Sequence, residues 1–157
     1  MPLAFIRHGQ TEWNKQGLLQ GSTDIPLNDT GRQQAREAVA MLDGWAWDVV
    51  VSSPLSRARE TAQIVADGLG LELGPAYPDL VERDYTPFEG RSSAEMVALY
   101  PDKRYPGAET VEHMVERCLR ALAQIDADYP DKNVVVVCHG TIAKYTLIHL
   151  TGYPVEV

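Results

Sequence analysis

Val134-Val135-Val136-Val137-Cys138-His139-Gly140 is the stretch that decides the fold. Four consecutive valines show no polar alternation, so a strand built from them must be covered on both faces. That is the pattern of a parallel strand inside a sheet. Leu3 to Ile6 and Asp48 to Val51 have the same character.

Between these runs the spacing turns helical. Thr30-Gly31-Arg32-Gln33 has capping-box spacing and precedes Ala35, Ala38, Val39 and Leu42 on one face. Ser53-Pro54 reads as an N-cap followed by proline at the first helical position. Ala58, Ala62, Val65 and Leu69 follow, with Gly68 and Gly70 bracketing the stop. A third helix is predicted from about Glu109 to Asp128, with Val111, Met114, Val115, Cys118, Leu122 and Ile125 inward, and Pro130 just beyond it. A fourth opens at Gly140 and closes at Gly152.

Strands alternating with helices imply an α/β fold with a largely parallel sheet. Without repeats, low-complexity tracts or linkers, residues 1–157 read as one domain. Ligands of such sheets bind beyond the carboxyl ends of the strands. The residues standing there are Arg7-His8-Gly9, Ser52-Ser53 and His139-Gly140, so two histidines are expected side by side.

Composition narrows the partners. With 22 acidic against 14 basic side chains, the net charge of -8 argues against general binding to nucleic acid or anionic membrane. A small anion remains possible wherever local arginines reverse the field. Cys118 and Cys138 lie far apart, with no CxxC spacing or disulfide framework. The N-terminus MPLAFIRHG does not read as a signal peptide, and no apolar run approaches spanning length. A cytoplasmic, reduced protein is the expectation.

Four segments could carry chemistry. In Arg7-His8-Gly9-Gln10-Thr11-Glu12-Trp13-Asn14, a guanidinium can hold phosphate bidentately and a neutral imidazole can attack phosphorus. Gly9 lets the backbone approach, and Asn14 could donate an amide hydrogen bond to a phosphate oxygen. The plain alternative is a solvated His-Gly turn. In Ser53 to Ala62, Arg57 lies in the opening turns of a helix whose amino end favours anions, whereas Arg59 reads as a solvated charge balanced by Glu60. In Asp79 to Gly90, Glu82 is the candidate proton donor to a leaving oxygen and Glu89 the competitor; both could instead simply face water. His139 could stabilise charge on a transferring phosphoryl group, or be a core-edge histidine bonded to a backbone carbonyl.

Together, RHGQTEWN, LQGSTDIPLNDTGRQQA, SSPLSRARETA, LVERDYTPFEG and VVCHG resemble the histidine phosphatase superfamily, the phosphoglycerate-mutase-like or RHG proteins. The likeness runs from Ile6 to about Leu150. It implies a three-layer sandwich with a parallel central sheet flanked by helices. It implies His8 as the phosphorylated nucleophile and Arg7, Asn14, Arg57 and His139 as the phosphate pocket. Glu82 would be the proton donor, and neither metal nor other cofactor is required. Gly21 and Ser22 match a loop bordering the substrate in relatives, and Gly140 follows the second histidine; all three are candidate substrate contacts. Trp13, Trp45 and Trp47 are expected to pack, and His113 and His149 to lie at the surface.

Relatives that act as mutases have a longer middle insertion with paired arginines, and a lysine after the Glu-Gly segment. Here Gly90 to Pro106 is short, a serine replaces that lysine, and Lys103 and Arg104 are the candidates to reach a second anionic group. The resemblance therefore favours a phosphatase over a mutase. Thr86 stands where the family usually has glycine, and Pro106 to Thr110 replaces a Gly-Gly-Glu-Ser, so the loop after Glu82 is expected to differ in shape. The sequence ends at Val157 where relatives continue, which would leave a sheet edge or site rim open; the expectation is either a C-terminus truncated relative to relatives or cover by a partner such as a second copy in a homodimer. Three rivals are a phosphate-binding module without turnover, a metallohydrolase using His8, His139, Glu82 and His113, although no HxH or HExxH spacing supports it, and a purely structural protein, which leaves the clustering at the strand ends unexplained. The expected partner is a small phosphate ester.

Overall fold

The computed structural model describes residues 1–155. Four strands, β1 (Leu3–Arg7), β2 (Val49–Ser52), β3 (Leu73–Ala76) and β4 (Val134–Cys138), form one sheet of order β1-β4-β2-β3, all parallel. The helices are α1 (Glu12–Gln16), α2 (Asp29–Met41), α3 (Ser56–Leu69), α4 (Ser93–Leu99), α5 (Val111–Asp128) and α6 (Gly140–Thr151).

The valine run forms the central strand, and its alternation divides the core. Val134 and Val136 face one layer with Met114, Cys118 and Ile125 of α5 and Ile142 of α6. Val135 and Val137 face the other with Ala58, Ala62 and Val65 of α3. All four valines are inaccessible to solvent, which at about 1.5–3 kcal/mol for each fully buried side chain makes this strand the anchor of both layers. The arrangement is the expected α/β sandwich.

Three helix starts differ from the sequence reading. Asn28, not Thr30, caps α2, accepting from the Gly31 N–H at 2.9 Å. Its extended backbone suits the cap position better than Thr30, which is already helical. α3 begins at Ser56 behind Leu55, whose apolar side chain cannot cap it; Ser53 stands two residues earlier, its Oγ accepting from the Leu55 N–H at 3.3 Å and meeting His139 Nε2 at 2.8 Å. α5 begins at Val111 on a Thr110 cap. Strand β3, Leu-Gly-Pro-Ala, and helices α1 and α4 were not anticipated. Trp47 is half-buried, with its indole N–H on the Leu42 carbonyl at 3.0 Å, and Trp45 packs its ring against Trp47 with centroids 6.2 Å apart while staying 65% exposed.

Register fixes where the site lies. Arg7 pairs with Cys138, and Ser52 with Val137 and Ala76, so all four strands end on one edge. His8, Ser53 and His139 are therefore the next residues out on three adjacent strands.

Candidate active site

His8 is buried at the end of β1, its N–H on the Cys138 carbonyl at 3.0 Å. Its Nδ1 lies 2.7 Å from the Gly9 carbonyl oxygen, which can only accept, so Nδ1 carries the proton and Nε2 is left with a lone pair. Burial lowers the His8 pKa to about 3, with the Arg57 and Arg7 charges acting in the same direction against the Gly9 hydrogen bond. The imidazole is thus neutral at physiological pH. Gly9 has no room for a side chain, since a Cβ there would lie 2.2 Å from the Gly31 carbonyl oxygen. The turn after His8 is pressed against the start of α2.

Arg57 is fully buried in the first turn of α3. Its Nη1 and Nη2 donate to the Thr23 and Gly21 carbonyls, both at 2.7 Å, and its Nε donates to His8 Nε2 at 3.3 Å. The arginine is aimed by the loop before α2 at the very nitrogen left unprotonated. Arg7 lies against Gly140, where a Cβ would meet its Nε at 3.2 Å. Asn14 occupies the reciprocal capping box of α1, its Oδ1 accepting from the Thr11 N–H at 3.0 Å. That use of Oδ1 leaves its amide NH₂ group for a ligand.

Glu82 is the buried carboxyl group of the site. Oε1 accepts from the Arg83 and Ile142 N–H groups at 2.8 and 3.0 Å, and Oε2 from the Thr141 N–H at 2.9 Å. It therefore sits on the amino end of α6. Burial pushes its pKa up, against the pull of those three donors and of Arg57. A carboxyl held in this way can carry a proton and still offer Oε2, which has a single protein donor. Glu89, the competitor, is spent on structure: its two oxygens take the N–H groups of Ser22 and Thr23 at 2.7 and 2.9 Å, together with both hydroxyls.

Arg7, His8, Asn14, Gly21, Arg57, Glu82 and Gly140 line one cavity of about 330 Å³. Ser22 does not line it, because its N–H and hydroxyl are turned to Glu89. His139 does not line it either; it is fully buried behind His8, with ring centroids 5.2 Å apart. The plain alternative for His139, a bond to a backbone carbonyl, is not found either: its Nε2 meets the Ser53 hydroxyl at 2.8 Å. Ser53 Oγ also accepts from the Leu55 N–H at 3.3 Å, which leaves its own proton for His139. The proton of a neutral His139 then rests on Nδ1, which is buried without a hydrogen-bond partner among the described residues. Burial holds His139 well below the usual histidine range, and Arg57 and His8 push the same way.

Other residues take parts that the sequence reading did not assign. Arg59 is no solvated charge: its Nη1 donates to the Gly74 carbonyl at 2.8 Å and to Ser52 Oγ at 3.2 Å, while Glu60 pairs with Arg32 at 2.5 Å. Arg117 of α5 is buried and donates to the Asp79, Val81 and Glu82 carbonyls at 2.7, 2.6 and 3.0 Å, clamping the loop that carries Glu82. The signal was present in the sequence, since 117 falls on the inward face three residues after Met114 and four before Ala121. Glu109 takes the rest of that guanidinium at 2.7 and 2.9 Å. His113 and His149 are at the surface. No group of three histidine, cysteine or acidic side chains is placed to hold a metal ion among the described residues.

Comparison with known proteins agrees with this geometry. The family model described as histidine phosphatase superfamily (branch 1) matches residues 3–157. The chain belongs to the histidine phosphatase superfamily. It is 41% identical over 150 residues to the phosphatase PhoE of Bacillus subtilis, covering 96% of this chain and 77% of that one. A 2,3-bisphosphoglycerate-dependent phosphoglycerate mutase of Cytophaga hutchinsonii is 29% identical over 162 residues, covering 94% and 76%. Among solved structures, mycobacterial glucosyl-3-phosphoglycerate phosphatase, crystallised with VO3, superposes with a TM-score of 0.84 at 29% identity, covering 98% of this chain and 83% of that one. This member of the superfamily is an enzyme of the phosphatase kind. No helix among the described residues is long and apolar enough to cross a membrane.

Proposed function

We propose that the chain hydrolyses phosphomonoesters through a phosphohistidine on His8. One observation carries the reading: Nδ1 is committed to the Gly9 carbonyl, so Nε2 stands unprotonated at a cavity walled by Arg7, Arg57 and Glu82.

A monoester dianion entering the cavity draws the Arg57 Nε–H from His8 onto a phosphoryl oxygen. Arg7 and the Asn14 amide supply further donors to the charge that develops on those oxygens, while His139 packs behind His8. Nε2 attacks phosphorus as the bond to the ester oxygen breaks, and the protonated carboxyl of Glu82 gives its proton to the departing alkoxide. Water then attacks the phosphohistidine and passes its proton to the Glu82 carboxylate. The P–N bond breaks, phosphate leaves and His8 returns neutral. His8 supplies the nucleophile, and every proton is exchanged at Glu82.

The test is phosphate release from a panel of phosphomonoesters in excess chelator, comparing the native chain with His8→Ala. Release that survives chelation and disappears in the variant is expected. Release abolished by chelator would mean a metal enzyme, and phosphoryl transfer to an acceptor alcohol without net release would mean a mutase.

A further inference from the structure

Arg57 is a fully buried cation, yet no carboxylate lies within ion-pair distance of it among the described residues. Burial works against its charge, while Glu82, Asp24 and Glu89 favour that charge from farther away. Apart from His8, the groups its guanidinium meets are backbone: the Thr23 and Gly21 carbonyls, both at 2.7 Å. The aim of Arg57 is therefore only as firm as the loop of residues 21–24.

That loop is held at several points. A turn bond from the Thr23 N–H to the Gln20 carbonyl, 3.1 Å, shapes it locally. At its far end Asp24 Oδ1 accepts from the Ser56 N–H at 2.8 Å, which ties it to the start of α3. On the side away from Arg57 stands Glu89. Its Oε1 accepts from the Ser22 N–H at 2.7 Å and the Tyr85 N–H at 3.2 Å, and its Oε2 from the Thr23 N–H at 2.9 Å. The Ser22 and Thr23 hydroxyls join them. Three backbone N–H groups converge here, and a carboxylate can accept from all of them without presenting a donor of its own.

The Gly21 carbonyl and the Ser22 N–H belong to one planar trans peptide and point opposite ways. Arg57 holds that plate at one end and Glu89 at the other, 2.7 Å on each side. The guanidinium and the carboxylate thus polarise the same peptide, and each strengthens the other's hydrogen bond without touching it. Gly21 makes the arrangement possible. Its φ is 52°, and a Cβ there would collide with Glu89 Oε1 and the Arg83 carbonyl.

We propose that Glu89 is a positioning residue for phosphate binding, holding Arg57 on the phosphoryl group through the Gly21–Ser22 peptide. The proposal rests on the phosphohydrolase reading and adds to it a residue that does not line the cavity.

A double-mutant cycle tests it, with the Kd of inorganic phosphate measured by calorimetry for the native chain, Glu89→Gln, Arg57→Met and the pair. Glu89→Gln should weaken binding by about tenfold in the native chain, the low end of what a hydrogen bond to a charged group contributes. With Arg57 already replaced, the same change should cost less than twofold, since its effect has no arginine to pass through. A loop that is merely loosened would lose as much in either background, so equal losses, or no loss in the native chain, would overturn the proposal. If Arg57→Met does not fold or binds no phosphate, or if the native chain binds none, which would count against the hydrolytic reading by itself, nitrogen-15 NMR decides. Solvent exchange of the Arg57 Nε–H is then compared between the native chain and Glu89→Gln, with the Trp47 indole N–H as a standard that general loosening would also quicken. Exchange at Arg57 faster by tenfold or more relative to Trp47 sustains the positioning role, and an unchanged ratio overturns it.

Discussion

Arg117→Met removes the clamp behind Glu82 while keeping the bulk of the side-chain stem. The Arg117 and Glu109 side chains are 7% and 10% exposed, and the guanidinium bonds three loop carbonyls as well as both carboxylate oxygens. Methionine would leave Glu109 with only the Asp84 N–H and His113, and three carbonyls without their donor. Breaking a buried pair by removing one partner costs about 3–5 kcal/mol. At about 2–4 °C per kcal/mol for a domain of this size, Tm should drop by roughly 6–20 °C. The pH dependence has a definite sign. Burial alone would raise the Glu109 pKa, but Arg117, the Asp84 N–H and His113 together hold it at about 2. The stabilisation is therefore complete above the ordinary carboxylate range near 4.5 and is lost as pH falls toward 2. Urea unfolding followed by tryptophan fluorescence at pH 7 and pH 3 reads both effects. The gap between native and variant chains should narrow by more than half at pH 3. A gap below about 1 kcal/mol at pH 7, or one unchanged at pH 3, would refute the reasoning.

Three further substitutions or titrations probe the site. Glu82→Gln should lower kcat for alkyl phosphates by about 10²–10⁴, yet hardly affect p-nitrophenyl phosphate, whose leaving group needs no proton; equal losses on both would contradict its role as acid. Nitrogen-15 NMR of His8 should show a neutral imidazole at pH 5, with Nδ1 protonated, because burial holds its pKa near 3. The same shift makes the folded state progressively less stable as pH falls from about 6.5 toward 3, and a midpoint near 6.5 would be inconsistent with it. Ser53→Ala strips the hydroxyl from His139 Nε2, a loss of about 1–3 kcal/mol in stability or transition-state binding, measurable as reduced Tm or kcat; a variant unchanged in both would mean that Ser53 does not set the His139 tautomer.

What was legible in the sequence followed from burial and register. Valine runs bounded by turn residues suit strands covered on both faces, and once three are parallel, His8 and His139 must emerge at the same sheet edge; the order β1-β4-β2-β3 then makes them neighbours. Strand β3 was illegible because Gly74 and Pro75 argue against a strand, and it is stable only as an edge beside β2. Thr30 and Ser53 illustrate a different limit. Both have cap chemistry, but which hydroxyl or amide actually caps depends on where the backbone turns. Arg59 and Arg117 were misread or passed over because charged side chains are ordinarily solvated, and only tertiary structure brings carbonyls to them. Ser22 has the right position along the chain, but Glu89, 67 residues away, claims its donors.

The central claim is that phosphorus becomes bonded to His8. The direct measurement is rapid mixing of the native chain with a ³²P-labelled phosphomonoester in excess chelator, quenched in alkali, where phosphohistidine persists, and followed by peptide mapping. Label should appear within the dead time or a few turnovers on the peptide containing His8, discharge in acid, and be absent from His8→Ala. Steady turnover with no label at any quench time, or label on another residue, would contradict the account.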